Sequence, residues 1–103
     1  MPTLDISLKD LSKLVGKEIT RENFEPEALL LIKGEIDGQE GDILKIDCKE
    51  TNRPDFWSAE GIARTISPYY TKERGLREYK VEPSKVSIHV DRSVDEIIPF
   101  ISA

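Results

Sequence analysis

The amino-acid sequence predicts a single small α+β domain with about three helices and a small antiparallel sheet. Apolar residues recur at three- and four-residue steps in some segments and alternate with polar residues in others, which are the periods of helices and strands. The 103 residues fit one domain and are enough to bury one core. With 38% apolar and 34% charged residues, the composition is that of a soluble globular protein.

The first two elements are a short strand and a short helix. Residues 3–7 alternate polar and apolar side chains, as a half-buried strand does. Ser7 and Asp10 have the spacing of a capping box, and apolar residues follow at helical spacing, namely Leu8, Leu11, Leu14 and Val15. Gly16 is suited to end a helix, so we expect one from about 8 to 15.

A second helix is expected over about 26–32, preceded by a turn. Thr20 is a candidate N-cap, and one helical face carries Phe24, Ala28, Leu31 and Ile32. Pro26 removes a backbone donor and clashes with the preceding turn inside a helix, whereas it is favourable at the first helical position. We therefore place the start of this helix near Pro26.

Residues 34–49 predict a β-hairpin with its turn at 38–42, after Ile36. Beyond the turn, Leu44, Ile46 and Cys48 alternate with charged residues and should face the core. Cys48 is then a small buried hydrophobe and not a nucleophile. A last strand at 86–91 should join the same sheet, with Val86, Ile88 and Val90 facing inward and Ser87, His89 and Asp91 facing outward.

The strongest helical pattern follows the loop 50–55. Apolar residues recur at Phe56, Ala59, Ile62, Ala63, Ile66 and Tyr70. Asp55 or Ser58 can cap this helix, and Pro68 should end it or tighten its last turn. Glu60 and Arg64 are then an exposed pair at i,i+4 spacing.

Two residues of this segment point to close contacts. Gly61 inside a helix costs about 1 kcal/mol relative to alanine, so we expect another backbone to pack closely against it. Trp57 lies off the apolar stripe and should contact a neighbouring element or another domain. Residues 71–84 form a charged connector, and the apolar run 97–101 predicts that the polypeptide was cut where a connection to a further domain begins.

The residue inventory argues against catalysis, metal binding and nucleic-acid binding. Motifs for phosphate, dinucleotide or acyl-transfer chemistry are lacking, and a single histidine cannot form a Cys/His zinc cluster. Because His89 faces outward on its predicted strand, we expect it to be solvated. The net charge of −5 disfavours a nucleic-acid partner. One cysteine fits a reducing compartment, and without a signal peptide or a membrane-length apolar stretch we expect a soluble, cytoplasmic protein.

The stretch Thr51-Asn52-Arg53-Pro54-Asp55-Phe56-Trp57-Ser58, continued by Glu60-Gly61-Ile62-Ala63-Arg64, closely resembles a signature near the start of phenylalanyl-tRNA synthetase beta chains. That signature runs Asn-Arg-Pro-Asp-Leu-x-Ser-x-Glu-Gly-hydrophobic-Ala-Arg, from which Phe56 and Trp57 are mild departures. The opening Met1-Pro2-Thr3-Leu4 and residues 10–16 are similar to the archaeal and eukaryotic branch of the family. The ending 98–103 is similar to the junction at which the family's editing domain begins.

The resemblance implies a non-catalytic, structural N-terminal domain over residues 1–96, with 97–103 starting the connection to the editing domain. The family enzyme is a class II ligase of two alpha and two beta subunits, which attaches phenylalanine to its tRNA using ATP and magnesium. The resemblance places its aminoacylation site in the alpha chain, and its editing site and beta-chain magnesium ligands beyond Ala103. No catalytic, cofactor or metal residue therefore carries over here. The implied architecture is winged-helix-like, which by itself says nothing of function.

Three hypotheses follow. In the first, an exposed surface docks on other parts of the synthetase, and its residues are Asn52, Arg53, Pro54, Asp55, Trp57, Glu60 and Arg64. The alternative for the turn is purely local, with Arg53 paired to Asp55 and the turn capping its own helix. In the second, tRNA or DNA binds a basic strip made of Arg64, Lys72, Arg74, Arg77 and Lys80. The third, an independent small enzyme, would require a bound cofactor or metal.

Overall fold

The computed structural model describes residues 2–97, without the side chains of Asp95 and Ile97. Six regular elements follow in the order β1 Thr3–Ser7, α1 Leu8–Val15, α2 Arg21–Glu27, β2 Gly34–Glu40, β3 Ile43–Cys48 and α3 Ala59–Tyr70. Short 3-10 helices occupy Leu29–Ile32, Pro54–Trp57 and Arg92–Ile97. The predicted α+β class, with three helices and a small antiparallel sheet, is confirmed; its winged-helix-like arrangement stays a prediction.

The sheet has three antiparallel strands in the order β1-β3-β2. Ile46 at the centre of β3 is paired with Leu4 on one side and Ile36 on the other. The predicted hairpin is therefore present, but its turn at 38–42 is wrong. A bulge after Ile36 keeps β2 paired with β3 as far as Glu40, so that only residues 41 and 42 form the turn. Gly41 supplies the positive φ of +58° that such a short turn requires.

Helix α1 has the predicted bounds and both predicted caps. The hydroxyl of Ser7 accepts a hydrogen bond from the backbone N–H of Asp10 at 3.1 Å, and Gly16 ends the helix at a φ of +80°. Asp42 in the hairpin turn adds a second cap. Its carboxylate accepts hydrogen bonds from the Ser7 hydroxyl at 2.5 Å and from the backbone N–H of Lys9 at 3.1 Å. The hairpin turn is thereby fastened to the start of α1.

Helix α2 begins at Arg21, so the predicted start near Pro26 is wrong. Thr20 and Asn23 form a reciprocal capping box, with the Thr20 N–H bonded to the Asn23 side chain at 3.0 Å and the Asn23 N–H bonded to the Thr20 hydroxyl at 3.4 Å. Pro26 lies inside the last turn of the helix, which ends at Glu27, one residue beyond it.

The chain then tightens into a 3-10 turn, which changes the buried face from the predicted one. Leu29 is buried, while Leu31 is 47% exposed.

Helix α3 begins at Ala59 and not at Phe56. Ser58 has extended backbone angles and its hydroxyl caps the helix, accepting a hydrogen bond from the Gly61 N–H at 3.1 Å. Pro54 opens a separate 3-10 turn that carries Phe56. Pro68 is accommodated within the last turn, and the helix continues to Tyr70.

The predicted strand at 86–91 is wrong. Residues 85–91 have no regular secondary structure, and Val86 and Ile88 are 79% and 57% exposed. The third strand of the sheet is β1, so both sides of the central strand β3 are already paired. The alternation of apolar and polar residues predicts a strand here, but no strand in the described part of the chain pairs with the segment.

The core lies between the sheet and the helices, where α1 packs against α3. The buried side chains form one cluster that joins every helix to the sheet, including Ile6, Leu11, Phe24, Leu44, Ile46, Ile62 and Ile66. No helix within residues 2–97 is both long enough and apolar enough to cross a membrane. The predicted domain limit at 96/97 is untested, because residues 98–103 of the predicted connection lie outside the described residues.

Candidate docking surface before helix α3

The seven residues expected to dock lie together on one continuous stretch of chain. Asn52 and Arg53 belong to the turn after β3, Pro54, Asp55 and Trp57 to the 3-10 helix, and Glu60 and Arg64 to the first turns of α3. All seven are exposed. We call this set, Asn52, Arg53, Pro54, Asp55, Trp57, Glu60 and Arg64, the docking surface.

A buried phenylalanine fastens the docking surface to the core. The ring of Phe56 is buried, and the guanidinium of Arg53 lies over it at 4.1 Å from the ring centroid. The Phe56 backbone is held at both ends, because its N–H donates to the Arg53 carbonyl at 2.9 Å and its carbonyl accepts from the Cys48 thiol at 3.3 Å. The turn is thus tied to the end of β3.

Arg53 and Asp55 form a bidentate ion pair. The Nε and Nη2 atoms of Arg53 donate to the two carboxylate oxygens of Asp55 at 2.9 and 2.7 Å. These hydrogen bonds lower the pKa of Asp55 and raise the pKa of Arg53. The predicted local pairing is confirmed, whereas the cap of α3 comes from Ser58 and not from the turn.

Gly61 occupies the closest approach in this region. A β-carbon built on Gly61 would lie 1.7 Å from the carbonyl oxygen of Asp55 and 2.6 Å from its carbonyl carbon. Only glycine fits at this position without a backbone shift. The prediction that Gly61 admits another backbone is confirmed, and the neighbouring backbone is that of the turn itself. The contact fixes the angle at which the turn meets α3.

Trp57, Glu60 and Arg64 project from this rigid base. Trp57 remains 43% exposed, which leaves its indole available to a partner. Within residues 2–97 no ion pair joins Glu60 to Arg64, so their expected pairing is not formed although both are exposed. Arg64 borders a groove that Leu14, Arg53, Arg77 and Tyr79 also line.

Two of the five cations of the basic strip, Arg77 and Lys80, are paired with acids. Arg77 pairs with Glu73 at 3.0 Å and Lys80 with Glu82 at 3.5 Å. The guanidinium of Arg74 donates to the backbone carbonyls of Thr71 and Glu73 at 2.7 and 2.8 Å. Acids thus alternate with the cations, and no observation favours nucleic-acid binding over docking.

Cys48 is buried and His89 is exposed, as predicted, but the strand that was predicted to carry His89 does not form. Cys48 is fully buried. Its burial raises the pKa of its thiol, and the nearby negative charge of Asp47 raises it further. His89 is exposed. Among the described side chains, no group of three or more His, Cys, Asp or Glu is arranged to hold a metal ion.

Two features of the site had no clear sequence signal. The Cys48 thiol donates to the Phe56 carbonyl across eight residues, and nothing in the alternating pattern of β3 points to that acceptor. The ring of Phe56 lies beneath Arg53 because Pro54 opens a separate 3-10 turn. Proline is favoured at the first position of a helix and serine at the N-cap. Pro54 and Ser58, four residues apart, were therefore the available indication of two separate helices.

Comparison with known proteins gives a consistent result over nearly the whole chain. The chain is 48% identical to the phenylalanine–tRNA ligase beta subunit of Thermococcus gammatolerans over 97% of its own length, and 40% identical to that of Pyrococcus horikoshii over the same share. It covers 18% of each of these relatives. No protein-family model matches the chain.

A solved structure agrees with these relatives. The crystal structure of an N-terminal fragment of the phenylalanyl-tRNA synthetase beta subunit from Pyrococcus horikoshii superposes with a TM-score of 0.69 at 40% identity. The superposition covers 96% of this chain and 29% of that one.

Proposed function

This chain belongs with the N-terminal regions of archaeal phenylalanine–tRNA ligase beta subunits, and we propose that it is a non-catalytic docking domain of such a subunit. The observation that carries the proposal is the rigid, exposed docking surface on residues whose sequence has the family signature. Phe56 and Gly61 fix its backbone, Trp57 is 43% exposed, and neither Glu60 nor Arg64 forms an ion pair with another described side chain.

The docking surface has the composition that favours protein contacts. Tryptophan and arginine are the residue types that most often dominate the energy of protein interfaces. A surface whose backbone is already ordered loses little conformational entropy on binding, which strengthens the association. Trp57 and Arg64 are therefore the two residues from which we expect most of the binding energy.

The chain's share in the whole enzyme follows from the same proposal. The complete protein would be a class II ligase of two alpha and two beta subunits in the cytoplasm, and it would attach phenylalanine to tRNA with ATP and magnesium. The other beta-chain domains and the alpha subunit are the proposed partners of this domain, and tRNA is a partner of the whole enzyme. ATP and magnesium would bind elsewhere in the enzyme, as the resemblance to the family implies.

Arg64→Glu in the full-length beta chain, co-expressed with the alpha subunit, tests the proposal. Arg53→Ala is the less informative variant, because it also removes the Asp55 ion pair and the contact with Phe56. Arg64 makes no ion pair with another described side chain, so we expect its charge reversal to preserve the fold while opposing a docked partner. We expect weaker subunit assembly or lower aminoacylation, with an unchanged melting temperature of the 103-residue chain.

Lys13→Glu is the matched control. Lys13 is also an exposed helical cation, and it lies on α1 outside the docking surface. It should change neither assembly nor aminoacylation. If Arg64→Glu and Trp57→Ala both behave like this control, the docking role is wrong.

A further inference from the structure

Residues 85–91 have the pattern of a strand but no strand partner. Val86, Ile88 and Val90 alternate with Ser87, His89 and Asp91, and valine and isoleucine favour extended pairing. Every residue from 81 to 90 is exposed. One face of this segment is therefore apolar and exposed, with Val86 at 79%, Ile88 at 57% and Val90 at 39% of full exposure.

Most of the backbone of the segment is also unpaired among the described residues, apart from the Asp91 carbonyl, which accepts from the Val94 N–H at 3.2 Å. The backbone–backbone hydrogen bonds that join described residues outside regular elements include none from residues 72–90. The single bond near the start of the segment is local, from the Val86 N–H to the Ser84 hydroxyl at 3.0 Å. A row of free donors and acceptors beside an apolar face is what an added strand presents to an open sheet edge.

The domain's own sheet does not take this strand. Its outer strands are β1 and β2, and residues 85–91 lie on neither of them. The pairing of β2 is interrupted by the bulge between Ile36 and Gly38, and acidic Glu35 and Asp37 flank Ile36. Bulges and charges of this kind are known protections of a sheet edge against pairing.

We propose that residues 85–91 become a strand by adding to an open sheet edge in the remainder of the beta chain. This inference rests on the proposed function. The relatives are far longer than this chain, which covers 18% of them, so most of their polypeptide lies outside the matched region. A sheet edge on the same polypeptide meets the segment at the high effective concentration that a tether provides. The partner edge must combine free backbone groups with an apolar face that covers Val86, Ile88 and Val90.

Hydrogen exchange on the full-length beta chain in complex with the alpha subunit tests the inference. A strand paired on one side bonds every second N–H, so alternate amides within 86–90 should exchange on the order of 100-fold more slowly than in the 103-residue chain. The alternation distinguishes strand pairing from general burial, which would slow neighbouring amides alike.

Two aspartate variants give the matched comparison. Ile88→Asp puts a charge on the apolar face and should abolish the protection, whereas Ser87→Asp puts the same charge on the opposite face and should preserve it. Both residues are exposed in the 103-residue chain, so neither variant should change its melting temperature.

Equal exchange of these amides in the full-length complex and in the short chain would overturn the inference. Protection that is already present in the isolated 103-residue chain, and that increases with its concentration, would also overturn the inference. The strand would then pair with a second copy of this chain. Either result is distinct from failure of the proposed function, which co-purification with an alpha subunit and aminoacylation report independently.

Discussion

Gly61 in α3 lies directly against the backbone carbonyl of Asp55, so that a β-carbon at residue 61 would be 1.7 Å from that oxygen. The contact joins the turn that carries Arg53 and Asp55 to the helix that carries Arg64. Its geometry sets where these side chains point relative to one another. The docking surface therefore depends on the absence of a single methyl group.

Gly61→Ala should destabilise the domain although alanine is the better helix former. The gain in helix propensity is about 1 kcal/mol, but the methyl group must displace backbone atoms of the turn. We expect the free energy of unfolding to fall by about 1–3 kcal/mol, as in overpacked sites. Urea unfolding followed by circular dichroism measures the change.

Gly38→Ala is the control for this substitution. Gly38 does not have a positive φ, and a β-carbon there would meet no described atom within 4 Å. It should change the free energy of unfolding by no more than about 0.5 kcal/mol. Equal effects of the two alanine substitutions would show that the Asp55 contact is not the cause.

The ion pair between Arg53 and Asp55 should give the domain a pH-dependent stability. The Arg53 hydrogen bonds lower the pKa of Asp55 from its ordinary value of 3.8. A carboxyl whose pKa is lower in the folded state adds stability above the unfolded pKa and loses it as pH falls through the folded value. Asp55→Asn should thus be less stable than the native sequence at pH 7, and the difference should shrink below about pH 5.

Urea unfolding of both proteins at several pH values checks this prediction. Both side chains are half exposed, so the difference at pH 7 should be small and should decrease further at high salt. A difference that stays constant from neutral pH to acid would mean that the carboxylate charge contributes nothing.

Cys48 should react slowly with thiol reagents in the native domain. Its side chain is fully buried, donates to the Phe56 carbonyl and has a raised pKa, so little accessible thiolate is present at pH 8. Reaction with a chromogenic disulfide should become fast only when the domain is unfolded in guanidinium. The control is the exposed thiol introduced by Ser87→Cys in a Cys48→Ala background, which should react fast under both conditions.

Thr20→Ala should weaken the start of α2. The substitution removes the hydroxyl that accepts from Asn23 and breaks the reciprocal capping box. Loss of such a cap costs about 1 kcal/mol of stability, measurable by thermal or urea unfolding. Thr51→Ala is the matched control, since Thr51 is exposed in a turn and makes no hydrogen bond to another described residue through its hydroxyl. Similar losses for both threonines would contradict the capping role.

Much of the local structure could be predicted because its causes lie within a few residues. Ser7 and Gly16 mark both ends of α1, and the spacing of Arg53 and Asp55 predicts their ion pair. The start of α2 was missed because Thr20 and Pro26 favour different starts, and the two capping hydrogen bonds outweigh the proline.

Features that depend on distant residues could not be predicted from local pattern. The residues 85–91 alternate as well as β3 does, yet a strand forms only where another strand supplies its hydrogen bonds. The second cap of α1 by Asp42 depends on the hairpin folding back over 33 residues. For the docking surface, the sequence predicted that Gly61 admits a backbone, but only the fold identifies that backbone as Asp55.

The native size of the polypeptide that carries this sequence tests the central claim most directly. Source cells can be immunoblotted with an antibody raised against the 103-residue chain, and the antigen can be purified under native conditions. A docking domain of a synthetase beta chain predicts a band several times larger than 11.7 kDa that co-purifies with a second subunit. A band at 11.7 kDa with no second subunit would contradict the claim.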